Sequence, residues 1–220
     1  MMNRKLVVTA LALILIAFIV TMQREQAPTE TQVAEDSALQ DELTMERPIE
    51  ALNSIWIEEL TWIEIRDAMA AGTKTVIIPT GGIEQNGPYV AMGKHNYVLQ
   101  GACEGIAREL GNALCAPIVK LVPEGGIDEP TGHMRYPGTI SLREETFHAV
   151  LDDVASSLQA HGFENIVFIG DSGGNQDGMA VVADRLNERW GKSIAHYIPE
   201  FYDNISIVEN DRSKGNNLTD

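Results

Sequence analysis

The sequence predicts an α/β fold, a three-layer α/β/α sandwich in which helices cover both faces of a mostly parallel sheet. Short β-branched runs alternate with segments of helical periodicity between residues 54 and 205, a pattern typical of successive strand–helix units. The run at 75–79 has no polar face, as expected of a strand that is buried on both sides. Glycine-rich polar clusters follow the predicted strands, where open α/β sheets place their ligand sites.

The elements of this domain are predicted from periodicity and from the residues that stop helices. Apolar residues recur at helical spacing in four segments, two of which end at Gly72 and Gly162. Helices are thus predicted over 61–71, 96–110, 143–161 and 178–190, and strands over 75–79, 118–122, 166–170 and 194–198.

The N-terminus has the pattern of an export signal. Arg4 and Lys5 precede seventeen residues, Leu6 to Met22, that contain neither a charge nor a proline. A cleaved signal peptide and an uncleaved membrane anchor through residues 6–22 both fit this pattern. Either one predicts an exported domain, periplasmic or otherwise extracytoplasmic, that is soluble or tethered.

An acidic segment separates residues 1–22 from the predicted globular domain at 54–205. Between residues 23 and 60, ten acidic residues are accompanied by only two basic ones, Arg24 and Arg47. The low apolar content up to about Ile49 predicts that residues 23–53 form a solvated linker. Residues 206–220 form a polar tail.

Charge and cysteine content exclude several classes of protein. The net charge of −16 and the absence of a basic stripe argue against nucleic-acid partners. Two cysteines, Cys103 and Cys115, are too few for a Cys-rich zinc module or a disulfide framework. They can form one bridge at most, and two buried free thiols are the favoured interpretation.

Four loops carry the polar residues that suggest chemistry. They are Gly81–Tyr89 after the first predicted strand, Glu124–Gly126, Thr131–Ile140, and Gly170–Asn175 after the strand at 166–170. Because the carboxyl ends of parallel strands share one edge of a sheet, these loops are expected to meet there.

Three motifs in these loops resemble the creatininase family of metal-dependent amidohydrolases. They lie at Pro79–His95, His133–Leu142 and Gly173–Asn175, in the family's order, within roughly residues 60–200. The resemblance implies a creatininase-like α/β fold, hydrolysis of a small cyclic or linear amide by metal-activated water, and assembly into homo-oligomers. It also implies a further His-containing segment after the last strand, so the chain, which ends at Asp220, is expected to be C-terminally truncated.

The resemblance also implies metal ligands, several of which differ in this sequence. Glu84 is kept, whereas His95 stands where a bridging Asp is usual and Asn86 where a His is usual. Ser172 and Gly174 stand where a His and a Glu are found. The remaining donors, Glu84, His95 and Asp171, are expected to hold one divalent ion, zinc or manganese, rather than two.

Catalytic roles are predicted for Glu84 and His133. The residues expected to bind substrate are Gln85, Asn86, Tyr89, Gly173, Gly174 and Asn175, the glycines because they let backbone N–H groups approach a ligand. The alternative is a non-catalytic protein that binds small molecules and has lost the metal. A serine hydrolase using Ser172 is a weaker option, because the G-x-S-x-G motif is missing.

Overall fold

The computed structural model describes residues 29–203. The predicted signal or anchor at 1–22 and the polar tail at 206–220 lie outside the described residues. The chain divides into two compact units, Met1–Pro48 and Ile49–Asp220. Within residues 29–203, no helix combines the length and the apolar character needed to cross a bilayer.

The described part of the first unit contains helix α1, Glu30–Thr44. Thr29 and Gln32 form a reciprocal capping box that starts the helix. The described side chains of α1 are exposed, as predicted for a solvated segment, but the backbone is helical rather than irregular. The acidic composition indicated that the segment would not be buried. The capping box and the Ala, Glu, Gln and Leu residues of α1 nevertheless favour a helix, because these residues have high helix propensity even when exposed.

The second unit contains a four-stranded parallel sheet within the described residues. Its strands are β1 (Thr75–Thr80), β2 (Ala113–Cys115), β3 (Asn165–Gly170) and β4 (Ala195–Tyr197), in the order β2-β1-β3-β4. The register pairs Thr80 at the end of β1 with Gly170 at the end of β3. The loops that leave these two central strands therefore start side by side.

Helices cover both faces of the sheet, which confirms the predicted three-layer fold. They are α2 (Trp62–Ala70), α3 (Lys94–Leu110), α4 (Glu144–Ala160) and α5 (Gln176–Trp190). Leu99 of α3 belongs to a buried cluster with Ile77 on one face. Phe147 of α4 and Met179 of α5 belong to the larger cluster that includes Ile78 on the other face.

One predicted strand is wrong. The chain pairs with β1 at Ala113–Cys115 rather than along 118–122, where only isolated bridges occur, Val119 with Thr80 and Val122 with Ser141. Pro117 and Pro123 flank the predicted segment, and proline cannot donate a hydrogen bond to a neighbouring strand. Of this segment only Val122 is buried, while Lys120 and Leu121 are exposed, so it runs along the rim of the sheet and not as a regular strand.

The two cysteines form a disulfide, so the favoured prediction of two free thiols is wrong. Cys103 of α3 and Cys115 of β2 are bonded, with Cα atoms 6.3 Å apart, a separation that a disulfide spans readily. The sequence did not show that α3 would pack its Cys103 face against β2. The bond ties the helix to the edge of the sheet.

Candidate active site

The predicted loops meet at the carboxyl edge of the sheet around a cavity of about 520 Å³. It opens beside the ends of β1 and β3, the position at which open α/β sheets bind ligands. The residues that line it are Glu84, Lys94, His95, Pro123, Glu124, Gly125, Gly132, His133, Glu144, Asp171, Ser172, Gly173, Gly174 and Tyr202.

His95 lies between two carboxylates at the base of this cavity. Its Nε2 is 2.6 Å from Glu84 Oε1, and its Nδ1 is 2.7 Å from Asp171 Oδ2. All three residues are buried, with 4–6% of their surface exposed. Burial of the ring lowers the pKa of His95, but the hydrogen bonds to Asp171 and Glu84 outweigh it and raise the pKa to about 9. The ring is therefore an imidazolium at neutral pH.

Glu84 also interacts with a second carboxyl group, that of Glu124, which lines the same cavity. Two acidic groups in one buried site do not both ionise readily, because each charge disfavours the other. Burial, together with the neighbouring Glu84 carboxylate, raises the pKa of Glu124 to about 9. Burial also raises the pKa of Glu84, but the hydrogen bond with His95 and the interaction with Glu124 lower it overall to about 2. The pair thus consists of an ionised Glu84 and a protonated Glu124.

Little free space remains around the buried carboxyl group of Glu124. Within residues 29–203, no protein donor reaches its buried Oε1 atom. Ser172 Oγ lies 3.5 Å from the other oxygen, Oε2, and Ser141 Oγ accepts the Glu124 backbone N–H at 2.9 Å. A Cβ atom on Gly82 would lie 2.2 Å from Oε1, so glycine at this position leaves room for the carboxyl group.

His133 completes the cluster from the loop at 131–140. Its Nε2 is 3.2 Å from Glu84 Oε2, and its Nδ1 is 3.3 Å from the Gln85 side-chain nitrogen. The same Nδ1 lies 3.2 Å from the Gln85 backbone oxygen, so Gln85 contacts this ring nitrogen through both its side chain and its backbone. The His133 side chain is 40% exposed, so it faces the cavity and remains accessible to a ligand.

The structure brings the predicted catalytic residues Glu84 and His133 together with the predicted ligands His95 and Asp171. Of the residues predicted to bind substrate, Gly173 and Gly174 line the cavity. The others do not line it.

Those other residues have different surroundings. Asn175 is completely buried, and its Nδ2 donates to Thr80 O and Gly81 O, which joins the ends of the loops. Asn86 Nδ2 donates to Glu84 O, and Gln85 holds His133. Tyr89 is 96% exposed. Asn86, Gln85 and Asn175 thus support the loops that carry the site.

Sequence reasoning missed Glu124 as a site residue. The signal available was a single carboxylate between the apolar run ending at Pro123 and the pair Gly125-Gly126. Such a carboxylate is commonly a solvated loop residue, and only the contact with Glu84 distinguishes it.

The donor set, as placed in the structure, does not fit a divalent cation. Among residues 29–203, no group of three or more His, Cys, Asp or Glu side chains is arranged to hold a metal ion. Both ring nitrogens of His95 face carboxylate oxygens, so neither offers a lone pair. Asn86 is hydrogen-bonded to backbone, and Gly174 has no side chain to contribute.

The fold and the site define an α/β protein with a carboxylate–histidine pocket at the carboxyl edge of a parallel sheet. Residues 58–218 match the model of the family Creatininase, described as creatinine amidohydrolase. The chain therefore belongs to the creatininase family, as the motifs predicted.

Two characterised relatives are similar to the chain over 129 residues, or 59% of its length. A creatinine amidohydrolase from Pseudomonas putida is 28% identical over a region covering 48% of that protein. A 3-dehydro-scyllo-inosose hydrolase from Thermotoga maritima is 25% identical over 38% of that protein. The chain thus matches about half or less of the length of these relatives.

Solved creatininase structures share the fold. One, described as creatininase Mn, has a TM-score of 0.58 at 24% identity, covering 66% of this chain and 58% of that one. Another, a mutant creatininase described as Zn-Zn type, has a TM-score of 0.55 at 24% identity, covering 67% and 58%. At this identity the likeness establishes the α/β architecture.

Proposed function

We propose that this chain is a hydrolase that cleaves the C–N bond of a small amide bound in the cavity. The observation that carries the proposal is the pair of neighbouring carboxyl groups, Glu84 and Glu124, that line the cavity and whose pKa values lie far apart. Two carboxyl groups whose surroundings hold one ionised and the other protonated form a base and an acid in one site. Family membership and the two hydrolases among the relatives support the same reaction class.

The reaction can be written with these groups alone. The Glu84 carboxylate takes a proton from water as the water oxygen bonds to the amide carbon. Glu124 gives its proton to the leaving nitrogen as the C–N bond breaks, which yields a carboxylic acid and an amine. The proton then returns from Glu84 to Glu124, the group with the higher pKa, and the site is reset.

His133 orients the base in this scheme. Its Nε2 contacts Glu84 Oε2, while His95 binds the other oxygen, Oε1. The backbone of Gly173 and Gly174 also lines the cavity, where it can contact the bound amide. A cavity of about 520 Å³ suits a small molecule.

The zinc or manganese ion expected on Glu84, His95 and Asp171 stays a prediction for this chain. Related structures are described as Mn and Zn-Zn forms, which supports a divalent ion in the family. In such a site the ion would activate water and polarise the carbonyl group. Because the placed donors do not fit an ion, the reaction proposed here includes no step on a metal.

The alternative is a protein that binds a small amide without hydrolysing it. The observation that favours it is that His95 is hydrogen-bonded to both Glu84 and Asp171, because donors engaged with one another in this way are not free to hold an ion that activates water. The cavity and its glycine-rich wall would still hold a ligand.

The test is turnover of a panel of small cyclic and linear amides by the full chain, with product acid and amine measured by mass spectrometry. Glu84→Gln and Glu124→Gln are each expected to lower kcat at least about 100-fold, as removal of a general base or acid does. Glu129→Gln is the control, because Glu129 is an exposed carboxylate of the same loop region. Amide binding without turnover, detected by a thermal shift, would favour the alternative.

We also propose that the domain is exported and forms homo-oligomers. The disulfide between Cys103 and Cys115 supports export, because such bonds persist in oxidising compartments. Cell fractionation with thiol labelling tests the location and the oxidation state together. Light scattering of the purified chain measures the assembly.

A further inference from the structure

We propose that the His95 imidazolium is the resident cation of this site and replaces a divalent metal ion there. The inference concerns the site whose function is proposed above, and it rests on that site assignment but not on turnover. It accounts for the contrast between a family with Mn and Zn-Zn structures and a chain in which the described residues form no metal-holding group.

The hydrogen-bond geometry defines the charge of the ring. Nε2 and Nδ1 each face a carboxylate oxygen, at 2.6 and 2.7 Å, and a carboxylate only accepts hydrogen bonds. A neutral ring carries one N–H, so its second nitrogen would place a lone pair against an oxygen. Two such contacts require two N–H groups, and therefore an imidazolium with no lone pair for a metal.

The space around the ring leads to the same conclusion. Ligands about 2.0 Å from a tetrahedral zinc lie roughly 3.3 Å from each other. His95 Nε2 and Glu84 Oε1 are 2.6 Å apart, which is a hydrogen-bond distance and leaves no room for an ion between them. The same holds for Nδ1 and Asp171 Oδ2 at 2.7 Å.

The charges of the cluster are also compensated without a metal. Glu84 and Asp171 are buried carboxyl groups, and buried charges need a partner of opposite sign. The imidazolium lies between them and serves both, while burial and the neighbouring Glu84 carboxylate raise the pKa of the third carboxyl group, Glu124.

Two neighbours oppose the positive charge, and the carboxylates outweigh them. Lys94 lies next to His95 and repels it, and His95 is in the first turn of α3, where the helix dipole disfavours a cation. A hydrogen bond to a charged partner is stronger than either of these effects, and His95 makes two. The ring therefore stays charged despite its position.

The imidazolium acts as a positioning group. It holds Glu84 Oε1 and leaves Oε2 directed to His133. Because this cation is part of the chain, it cannot be removed by a chelator, unlike a bound ion.

The first experiment measures metal in the full chain after incubation with zinc or manganese and desalting. We expect less than about a tenth of an equivalent of metal per chain. The melting temperature should be the same with and without EDTA, because a bound ion would raise the melting temperature. One equivalent that is retained by the wild type and lost in Glu84→Ala and His95→Ala would overturn the proposal.

The second experiment converts the site with His95→Asp. This substitution removes the cation and places a fourth carboxyl group beside Glu84, Glu124 and Asp171, a hard oxygen set that suits manganese. We expect the variant to bind about one equivalent of metal. EDTA should then lower its melting temperature. His161→Asp is the control, because it makes the same change at an exposed histidine and should gain none. A folded His95→Asp protein that binds no metal contradicts the proposal.

A spectroscopic measurement on the wild type covers the case in which His95→Asp fails to fold. Two downfield ring N–H protons of His95 are expected at pH 7, unchanged by added zinc. A single ring N–H proton would overturn the inference. None of these readouts needs substrate, so a failure of amide turnover would count against the hydrolase alone.

Discussion

Glu84 is the residue on which the other groups of the site converge. His95 binds its Oε1 atom, and His133 lies 3.2 Å from Oε2, while the Glu84 carboxylate is one of the groups that raise the pKa of Glu124. The prediction that Glu84 lies at the centre of the site came from one motif. The properties of Glu84 come from three neighbours that lie on separate segments of the chain.

The protonated state of Glu124 leads to a prediction at this scale. The folded-state pKa of Glu124 is raised from 4.5 to about 9. The stability that this group contributes is thus fully present below about pH 4.5 and is lost as pH rises through about 9. Glu124→Gln keeps the shape and stays neutral, so it should be the more stable protein at pH 8, by about 1–2 kcal/mol.

Urea unfolding of wild type and Glu124→Gln at pH 5, 7 and 9 checks this expectation. The variant should show the flatter pH dependence, and Glu129→Gln should behave as the wild type does. A Glu124→Gln protein that is less stable than the wild type at pH 9 would disprove the assignment of a protonated Glu124.

At the scale of elements, the site depends on loops that the helices and the central strands position. The paired ends of β1 and β3 bring the loop of Glu84 beside that of Asp171. His95 approaches from α3, whose start is fixed by Asn96 Nδ2 donating to Gly82 O at 3.1 Å. The position of α3 thus determines whether His95 reaches both carboxylates.

The disulfide is one of the bonds that hold α3 in place. It joins residues twelve apart in sequence, and closing a loop of that size stabilises a fold by about 2–3 kcal/mol. The double substitution of Cys103 and Cys115 by Ser should lower the free energy of unfolding by about that amount. Denaturant titration measures it, and the wild type kept in reductant should match the variant. Equal stability of oxidised and reduced wild type would show that the bond adds nothing.

For the whole molecule, the site and the net charge of −16 both favour mildly acidic pH. The raised pKa of His95 stabilises the fold fully below about 6.5, and this contribution is lost as pH rises through about 9. The lowered pKa of Glu84 stabilises the fold above about 4.5, and this contribution is lost as pH falls through about 2. Between about pH 4.5 and 6.5 both contributions are complete. The raised pKa of Glu124 also makes the fold more stable at lower pH. The net negative charge is smaller there as well, so the repulsion between like charges is weaker.

We therefore expect the free energy of unfolding to be highest near pH 4.5–6.5. It should fall by about 2–3 kcal/mol between pH 6 and 10 through His95. Thermal melts of the wild type across pH 3–10 test the profile, with His95→Asn as the comparison, because Asn cannot titrate. A wild type most stable at pH 9, or a His95→Asn protein with the same alkaline decline, would contradict this explanation.

Much of the fold was predictable from local pattern, and the exceptions have physical reasons. The predicted strands at 75–79 and 166–170 correspond to β1 and β3, because central strands of a parallel sheet are apolar on both faces. The segment 118–122 is also rich in β-branched and apolar residues, but it contains Lys120 and forms only isolated bridges, because its flanking prolines and its place beside the sheet decide its pairing.

The sequence by itself determined the alternation of strands and helices, the loops that carry polar residues, and the family to which they belong. These properties follow from local periodicity and from motifs of neighbouring residues. Only the tertiary structure decided that His95 lies between Glu84 and Asp171, that Glu124 lines the same cavity as Glu84, and that Cys103 bonds to Cys115. Whether a histidine is a ligand or a cation depends on distances of a few tenths of an ångström between side chains from different segments, and no local pattern encodes them.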